Sequence, residues 1–197
     1  MVEHSMVSNG EAKILLILLK TPRIDHTATI LAKISGLSIM GVMKIAKGLE
    51  RRGFLSSRKI GRATLYSLRS DSEKGKSLII FLLKNEAEQV SPFVRVWLRE
   101  LQKITSAQSI ILFGSLLKKE RTAGDVDALI ITTKGKFRIT EKQVENISLV
   151  NEKRIHPVYQ TRADLKKNIQ KKDIVILQAI QGLVAFGEEA FLEVLLE

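Results

Sequence analysis

The chain has 197 residues, which is enough for one large domain or for two small domains with a core each. Hydrophobic residues make up 45% of the chain, so we expect a globular rather than a disordered protein. The absence of cysteine excludes disulfides, thiolate zinc sites and cysteine nucleophiles, and three histidines argue against a histidine-rich metal site. The longest apolar runs, residues 14–19 and 78–83, are too short to span a bilayer, so we expect a cytoplasmic protein without membrane contact.

The formal net charge of +11 is unevenly distributed along the chain. Residues 1–70 carry 12 Lys and Arg against 4 Asp and Glu, a net charge of +8, whereas residues 71–105 carry +1 and residues 106–197 carry +2. A concentrated basic surface fits a polyanionic partner, most simply a nucleic acid. It equally fits an exposed face whose cations only keep the protein soluble, and charge alone does not separate these alternatives.

The first third of the chain predicts three helices followed by a β-hairpin. The predicted bounds are 9–20, 27–35 and 39–52 for the helices, and 54–60 and 63–68 for the strands. Gly36 is placed to end the second helix and Ser38 to cap the third. Gly61 and Arg62 separate the two β-prone runs, as a hairpin turn requires.

The third helix is predicted to be amphipathic, with a cationic outer face. Its apolar residues recur at three- and four-residue spacing and predict an inward stripe of Ile39, Val42, Ala46 and Leu49. The same spacing places on another face Met40, Lys44, Lys47 and Arg51. The hairpin adds three cations that can reach an adjacent backbone or minor groove, namely Arg58, Lys59 and Arg62. Such a helix, preceded by a short helix and a tight turn, suits a reader of the DNA major groove.

Residues 8–70 resemble the winged helix-turn-helix domains of bacterial and archaeal transcriptional regulators. The resemblance rests on the runs LAKISGLS (31–38), GLERRGFL (48–55) and GRATLYSL (61–68). It implies binding to double-stranded DNA, with the cations on phosphates and base readout between Ser38 and Met43. Winged helices also serve as protein-contact modules, and this alternative stays open.

Two helices are predicted between the terminal domains, over residues 71–105. Residues 72–89 form a helix that is apolar around much of its circumference and must be covered on more than one side. Either the second domain or a second copy of the chain provides this cover, and the latter predicts a homodimer. Ser91 and Pro92 begin the next helix, which reaches about Ile104. Its apolar stripe comprises Val94, Trp97, Leu98 and Leu101.

After residue 106 the pattern changes to strands that alternate with helices. The predicted strands are 109–113, 126–132, 155–160 and 183–187, and the predicted helices are 140–153, 162–171, 173–181 and a last one at the end. The sequence therefore predicts an α+β protein of two domains, a helical DNA-binding domain at 1–70 and an α/β domain at 106–197.

The run ILFGSLLKKERTAGDVDALII (111–131) combines a tight glycine turn with two carboxylates. Gly114 allows the backbone to approach a phosphate closely, and Ser115 adds a hydroxyl before a helix start that favours an anion. Asp125 and Asp127 lie two apart on a strand, so both carboxylates face the same side. Such a pair can hold Mg²⁺ ions that bridge a nucleoside triphosphate, as predicted metal ligands and catalytic residues.

Two alternatives accompany this interpretation. Lys118 and Lys119 either neutralise phosphate charge, as nucleotide-binding residues, or are simply solvated. The two aspartates themselves can be solvated residues of a loop.

The motif is similar to the Gly-Ser…Asp-x-Asp signature of polymerase-β-like nucleotidyltransferases, particularly the minimal branch, over residues 106–165. The resemblance implies a mixed sheet with flanking helices and magnesium-dependent transfer of a nucleotidyl group from a triphosphate. Active members usually supply a third carboxylate from a later strand, as the base that deprotonates the acceptor. The candidate strand, residues 155–160, has none, since Glu152 and Asp164 lie outside it. His156 on this strand can assist a metal, although a single histidine on a strand is more often structural.

These observations favour a DNA-binding transcriptional regulator with a nucleotide-binding, nucleotidyltransferase-like domain. The run RIHPVYQTRADL (154–165) also resembles regulators that fuse a winged helix to such a domain. One alternative is an active magnesium-dependent nucleotidyltransferase that acts on a protein or nucleic acid. The other is an antitoxin-like partner module, because minimal nucleotidyltransferases often accompany a helical toxin.

Overall fold

The computed structural model describes residues 7–22, 24–69 and 72–196. These residues form two compact units, 7–82 and 83–195. The division falls inside the helix Glu73–Glu88, so the helices predicted to connect the domains are shared between the units. The predicted domain bounds at residues 1, 70, 71 and 197 lie outside the described residues.

The first unit has the predicted order of three helices and a hairpin. Its elements are α1 (Asn9–Lys20), α2 (Ala28–Ser35), α3 (Ile39–Arg51), β1 (Leu55–Ile60) and β2 (Ala63–Leu68). Each helix begins at a hydroxyl residue, Ser8, Thr27 or Ser38, whose side-chain oxygen accepts a hydrogen bond from the amide three residues later. These caps satisfy amides that a helix start otherwise leaves unpaired, so local sequence fixes where the three helices begin.

The chain turns by 109° between α2 and α3, through a connection of three residues. Gly36 ends α2 with a φ of 72°, a left-handed conformation that glycine adopts without strain. The short glycine-containing turn and the angle are those of a helix-turn-helix. The segment before α2 also pairs with the hairpin, since the Tyr66 amide donates to the His26 carbonyl at 2.8 Å. The hairpin is thereby attached to the helices as a wing.

The inward stripe predicted for α3 is correct except at its first residue. Val42, Ala46 and Leu49 are fully buried. Ile39 is 46% exposed, so its predicted place in the core is wrong. It is the first residue of α3, so it keeps the spacing of the stripe but lies at the end of the helix. Periodicity gives the direction of a side chain but not how far the packed region extends along the helix.

We expect His26 to make the stability of the first unit dependent on pH. Its side chain is buried, with Nε2 2.7 Å from Thr21 Oγ1. Burial lowers the pKa of His26 below its ordinary value of 6.5, against a smaller opposite effect of the Asp25 charge. Because the unfolded chain binds the proton more readily, stability is complete above pH 6.5 and is lost as the pH falls below it.

We therefore expect the thermal unfolding midpoint to fall between about pH 7.5 and about pH 5.5, and His26→Gln to reduce that fall. Glutamine keeps a polar group beside Thr21 without titrating. Circular dichroism melts of both proteins at both pH values measure the difference. An equal fall in the two proteins would mean that other groups carry the dependence.

The second unit carries the helix predicted to begin at Pro92, the strands and helices predicted after residue 106, and one short helix, α6, for which no bounds were predicted. They are α5 (Pro92–Gln102), β3 (Ser109–Phe113), α6 (Leu116–Lys119), β4 (Val126–Ile131), α7 (Phe137–Val150), β5 (Ile155–Gln160), α8 (Arg162–Gln170), α9 (Ile174–Ala179), β6 (Leu183–Phe186) and α10 (Glu188–Leu196). Helix α7 begins and ends three residues earlier than the predicted 140–153. It ends at Val150 because Asn151 is extended, and the Asn151 side chain donates to the Ile147 carbonyl.

The four-stranded sheet has the order β5-β4-β3-β6. Strands β4 and β5 are parallel, whereas β3 is antiparallel to both β4 and β6. The sheet is therefore mixed, as predicted. One of its faces packs in a single core with the buried stripe of α5, namely Val94, Trp97, Leu98 and Leu101. The parallel pair places the first residues of β4 and β5 side by side, which positions the candidate site described below.

Helix α4 (Glu73–Glu88) buries much of its apolar surface. Leu78, Ile79, Leu82 and Leu83 are buried, whereas Phe81 is 53% exposed.

Among the described residues no single helix has the length and apolar character to cross a membrane. The bent pair of α2 and α3 has the length and composition of a membrane span, and this likeness rests on those two properties alone.

Candidate functional sites

Helix α3 presents a cationic face, which we define as Lys44, Lys47 and Arg51. All three side chains are exposed. Apolar side chains continue this surface toward the start of the helix, where Met40 is 74% exposed and Met43 47% exposed. A helix surface with large uncovered methionines beside cations is costly to leave in water and suits a partner that is both anionic and partly apolar.

The wing adds the three predicted cations, and all of them are exposed: Arg58, Lys59 and Arg62. Within the part of the chain that the structure describes, neither they nor the cationic face of α3 forms an ion pair with an acid. Arg52, by contrast, is bound to Glu11 at 3.1 Å. Ser57 of the wing donates to the Glu50 carboxylate at the end of α3, which ties the two candidate DNA-binding elements together.

Ser38, predicted to contact DNA, serves as the N-cap of α3. Its Oγ accepts a hydrogen bond from the Gly41 amide at 3.0 Å. The side chain is exposed, so its hydroxyl proton stays available to an acceptor. The predicted contact with DNA remains a prediction.

The two aspartates of the second unit lie together at the start of β4, where Asp127 is the second residue of the strand and Asp125, predicted on the strand, directly precedes it. Val126, between them, is fully buried, so Asp125 and Asp127 project to the opposite side of the strand. Ligand atoms of the two carboxylates and of His156 all lie within 4.8 Å of one another. Among the described residues this is the one group of three or more potential metal ligands that lie this close.

Gly114 lies directly against the Asp127 side chain of this cluster. It follows β3, whose last residue, Phe113, pairs with Asp127, and its φ is 80°. A Cβ at position 114 would lie 2.8 Å from Asp127 Cγ and 3.0 Å from Asp127 Cβ, closer than such carbons approach. The glycine turn is therefore required both for the backbone conformation and for the place of the Asp127 carboxylate.

His156 lies on β5 beside the aspartate pair. In the parallel pairing of β4 with β5 it is the partner of Asp127, and its Nδ1 lies 3.2 Å from Asp127 Oδ1. The His156 side chain is 71% exposed and that of Asp127 22% exposed. Strand β5 carries no acid, and the side chain that it places beside the aspartate pair is an imidazole.

The two acids outside β5 do not join the cluster. Glu152 lies in the exposed loop before β5. Asp164 lies in the first turn of α8, where hydrogen bonds from Thr161, more than the charges of nearby lysines, lower the pKa of its carboxyl. The Asp164 carboxylate therefore accepts a hydrogen bond from Thr161 at the start of that helix.

Lys153 holds the loop that leads to Asp125, a contact that sequence reasoning missed. Its ammonium donates to the carbonyls of Arg121, at 2.9 Å, and Ala123. These carbonyls lie about thirty residues earlier in the chain. No local pattern reveals such a contact, because any surface lysine looks the same in sequence.

The remaining predicted nucleotide-binding residues lie just after the glycine turn. Ser115 is half-buried and its side chain caps no helix amide, while Lys118 and Lys119 are exposed on α6. Helix α6 has only four residues, so its own dipole contributes little to anion binding. At this position the positive charge comes from the two lysines.

Comparisons with known proteins leave the family of the chain open. No protein-family model matches the sequence, and no curated protein matches it. One solved structure with similarity is the adhesin competence repressor AdcR from Streptococcus pyogenes, at 27% identity and a TM-score of 0.38, over 51% of this chain and 70% of that one. Another is the zinc-dependent MarR family transcriptional regulator AdcR in the Zn(II)-bound state, at 21% identity and a TM-score of 0.28, over 53% of this chain and 77% of that one. Both TM-scores are below 0.5, so neither likeness bears on the function of this chain.

Proposed function

We propose that the chain is a DNA-binding transcriptional regulator whose first unit binds double-stranded DNA through α3 and the wing. The observation that carries the proposal is the exposed cationic face of α3, which forms no ion pair with any acid that the structure describes and lies on the second helix of a 109° helix-turn-helix. In that geometry the second helix lies in the major groove. The wing then extends its cations toward the neighbouring backbone.

Six cations are available for phosphate contacts, three on α3 and three on the wing. Each neutralised phosphate releases condensed counterions, so the logarithm of the affinity falls linearly with the logarithm of the salt concentration, with a slope of about −0.9 per contact. If all six engage, the expected slope is about −5 for each copy of the chain. A protein-contact module has no reason to show this dependence on duplex DNA.

The test is the binding of a labelled random-sequence duplex, followed by fluorescence anisotropy as salt rises from about 50 to about 200 mM. We expect binding that weakens steeply over this range. Absence of binding at the lowest salt, or an affinity that does not respond to salt, would contradict the proposal.

The exposed methionines of α3 provide the base readout. Apolar side chains in the major groove contact the thymine methyl group, because the other base edges there are polar. We expect selected duplexes to contain thymine opposite Met40, and Met40→Ala to weaken their binding by roughly 3- to 10-fold without changing the salt slope.

Replacement of thymine by deoxyuridine in such a duplex is a matched test, since it removes only the methyl group. This replacement should weaken DNA binding by the native chain and leave DNA binding by Met40→Ala unchanged. The control is Ile60→Ala, which removes an apolar side chain that is 50% exposed in the wing. Equal sensitivity of the native chain and Met40→Ala to deoxyuridine would assign the readout to other residues.

For the second unit we propose binding of a divalent cation and a nucleoside triphosphate. Asp125 and Asp127 would hold the cation, for which Mg²⁺ is the ion predicted from the sequence. Gly114 and Ser115 would lie against the phosphates, with Lys118 and Lys119 as counter-charges. Titration of ATP, GTP, CTP and UTP with Mg²⁺ into the full chain tests this, and no heat with any of them would contradict it.

The paired carboxylates also support a second candidate function, transfer of a nucleotidyl group to a protein or nucleic acid. Incubation with labelled triphosphates and Mg²⁺ tests it. Label transfer that disappears in Asp127→Ala would favour an enzyme, and absence of transfer to DNA, RNA or protein would favour a nucleotide-responsive regulator.

We further propose that the chain is a homodimer, because winged-helix regulators commonly read two half-sites. The exposed Phe81 of α4 is a candidate contact between copies. Light scattering after size exclusion measures the mass directly. A monomer at micromolar concentration would contradict this proposal while leaving DNA binding unaffected.

A further inference from the structure

We propose that Asp125, Asp127 and His156 form one metal site that prefers a transition-metal dication, such as Mn²⁺, Co²⁺ or Zn²⁺, over Mg²⁺. The inference deepens the function proposed for the second unit. It does not depend on DNA binding by the first unit.

The spacing of the three side chains fits a shared ion. Ligand atoms bound at about 2.0–2.2 Å from one metal lie at most about 4.4 Å apart, across the ion. The ligand atoms here lie within 4.8 Å of one another, and Asp127 and His156 are already at 3.2 Å. The Asp125 and His156 side chains are exposed, so small rotations suffice to bring all three donors onto one ion.

The backbone fixes where these donors start. Asp127 and His156 are register partners in the parallel pair of β4 and β5. The Gly114 turn packs against the Asp127 carboxylate, and Lys153 holds the loop that delivers Asp125. Two of the donors therefore come from paired strands and the third from a loop that Lys153 holds, as a preorganised metal site requires.

The imidazole decides which metal is preferred. Mg²⁺ binds oxygen donors in near-ideal octahedral geometry and takes nitrogen reluctantly, whereas Mn²⁺, Co²⁺ and Zn²⁺ accept imidazole beside carboxylates. A site of two carboxylates and one histidine thus departs from the all-oxygen set that a magnesium-dependent transferase needs. Its exposure leaves the remaining coordination positions to water or to phosphate oxygens.

The experiment is isothermal titration of the metal-free full chain with Mn²⁺, Zn²⁺ and Mg²⁺ separately, together with visible absorption of the Co²⁺ form. We expect Mn²⁺ and Zn²⁺ to bind at least about tenfold more tightly than Mg²⁺. His156→Ala should weaken the binding of Mn²⁺ and Zn²⁺ by about tenfold or more, and should change the affinity for Mg²⁺ by less than about threefold. The Co²⁺ spectrum should change in the same variant, because an imidazole ligand has been lost.

His156→Asp is the decisive second variant. The aspartate supplies a third carboxylate, so this variant should bind Mg²⁺ more tightly. The affinities for Mn²⁺ and Zn²⁺ should then exceed that for Mg²⁺ by a smaller factor than in the native chain. Glu152→Ala is the matched control, since it removes an exposed carboxylate close by in sequence but outside the cluster, and it should leave all affinities unchanged. Circular dichroism shows whether each variant folds.

Two results would overturn the proposal. One is Mg²⁺ binding as tight as that of Mn²⁺ and Zn²⁺ in the native chain. The other is folded His156→Ala with native affinity for all three ions, which would leave His156 and Asp127 as an ordinary hydrogen-bonded pair. Anisotropy with duplex DNA on the same samples keeps the result separate from any failure of DNA binding.

Discussion

Simultaneous replacement of Lys44, Lys47 and Arg51 by alanine is expected to weaken DNA binding about a hundredfold at low salt. It should also reduce the steepness of the salt dependence by about 3, one for each lost phosphate contact. Fluorescence anisotropy across a salt series measures both quantities at once. The loss should be similar for all duplex sequences, because phosphate contacts carry no base information.

The physical reason lies in where these side chains stand. They project from one exposed face of α3, while the opposite face is fully buried through Val42, Ala46 and Leu49. Alanine favours the helix at least as well as the residues it replaces, so the variant should keep its fold. Loss of affinity then reports the loss of charge toward the DNA.

Lys13→Ala is the matched control for this variant. Lys13 is exposed in the same unit but lies on α1, outside the helix-turn-helix and the wing. It removes one positive charge without touching the proposed surface, so affinity and slope should change little. A triple variant that binds with the native salt slope would show that α3 does not face the DNA.

The features of the first unit that could be predicted from the sequence depend on interactions between residues close together in the chain. Helix starts are governed by hydroxyl caps such as Ser38 and by a left-handed glycine such as Gly36, and both act within a few residues. These features were predicted correctly. Ile39 was assigned wrongly to the core because its burial depends on the neighbouring helices, which a spacing pattern does not contain.

The candidate metal site shows the same limit more clearly. Strand alternation was enough to predict that Asp125 and Asp127 share a side. The register that brings His156 to Asp127 joins residues 29 apart, and Lys153 bonds to carbonyls at still longer range. Register depends on how whole strands pair, so the sequence showed a histidine on the candidate strand but not that it would lie beside Asp127.

Gly114→Ala is expected to impair the second unit more than its single methyl group suggests. The residue has a φ of 80°, where an L-residue costs about 1–2 kcal/mol, and the new Cβ would meet the Asp127 side chain. The free energy of unfolding should fall by at least that amount, and Asp127 must move away from Asp125 and His156. We therefore expect Mn²⁺ affinity to fall by at least about tenfold in protein that still folds.

Two glycine controls separate strain from displacement. Gly124→Ala adds a methyl group next to Asp125, where no atom lies within 4 Å, and should preserve Mn²⁺ binding. Gly61→Ala has a positive φ of 59° but equally open surroundings, so it should lose stability without affecting the metal. Urea unfolding and Mn²⁺ titration of the three variants give both quantities. If folded Gly114→Ala binds Mn²⁺ like the native chain, the carboxylate of Asp127 is not held by the glycine turn, and the preorganisation inferred for the site is wrong.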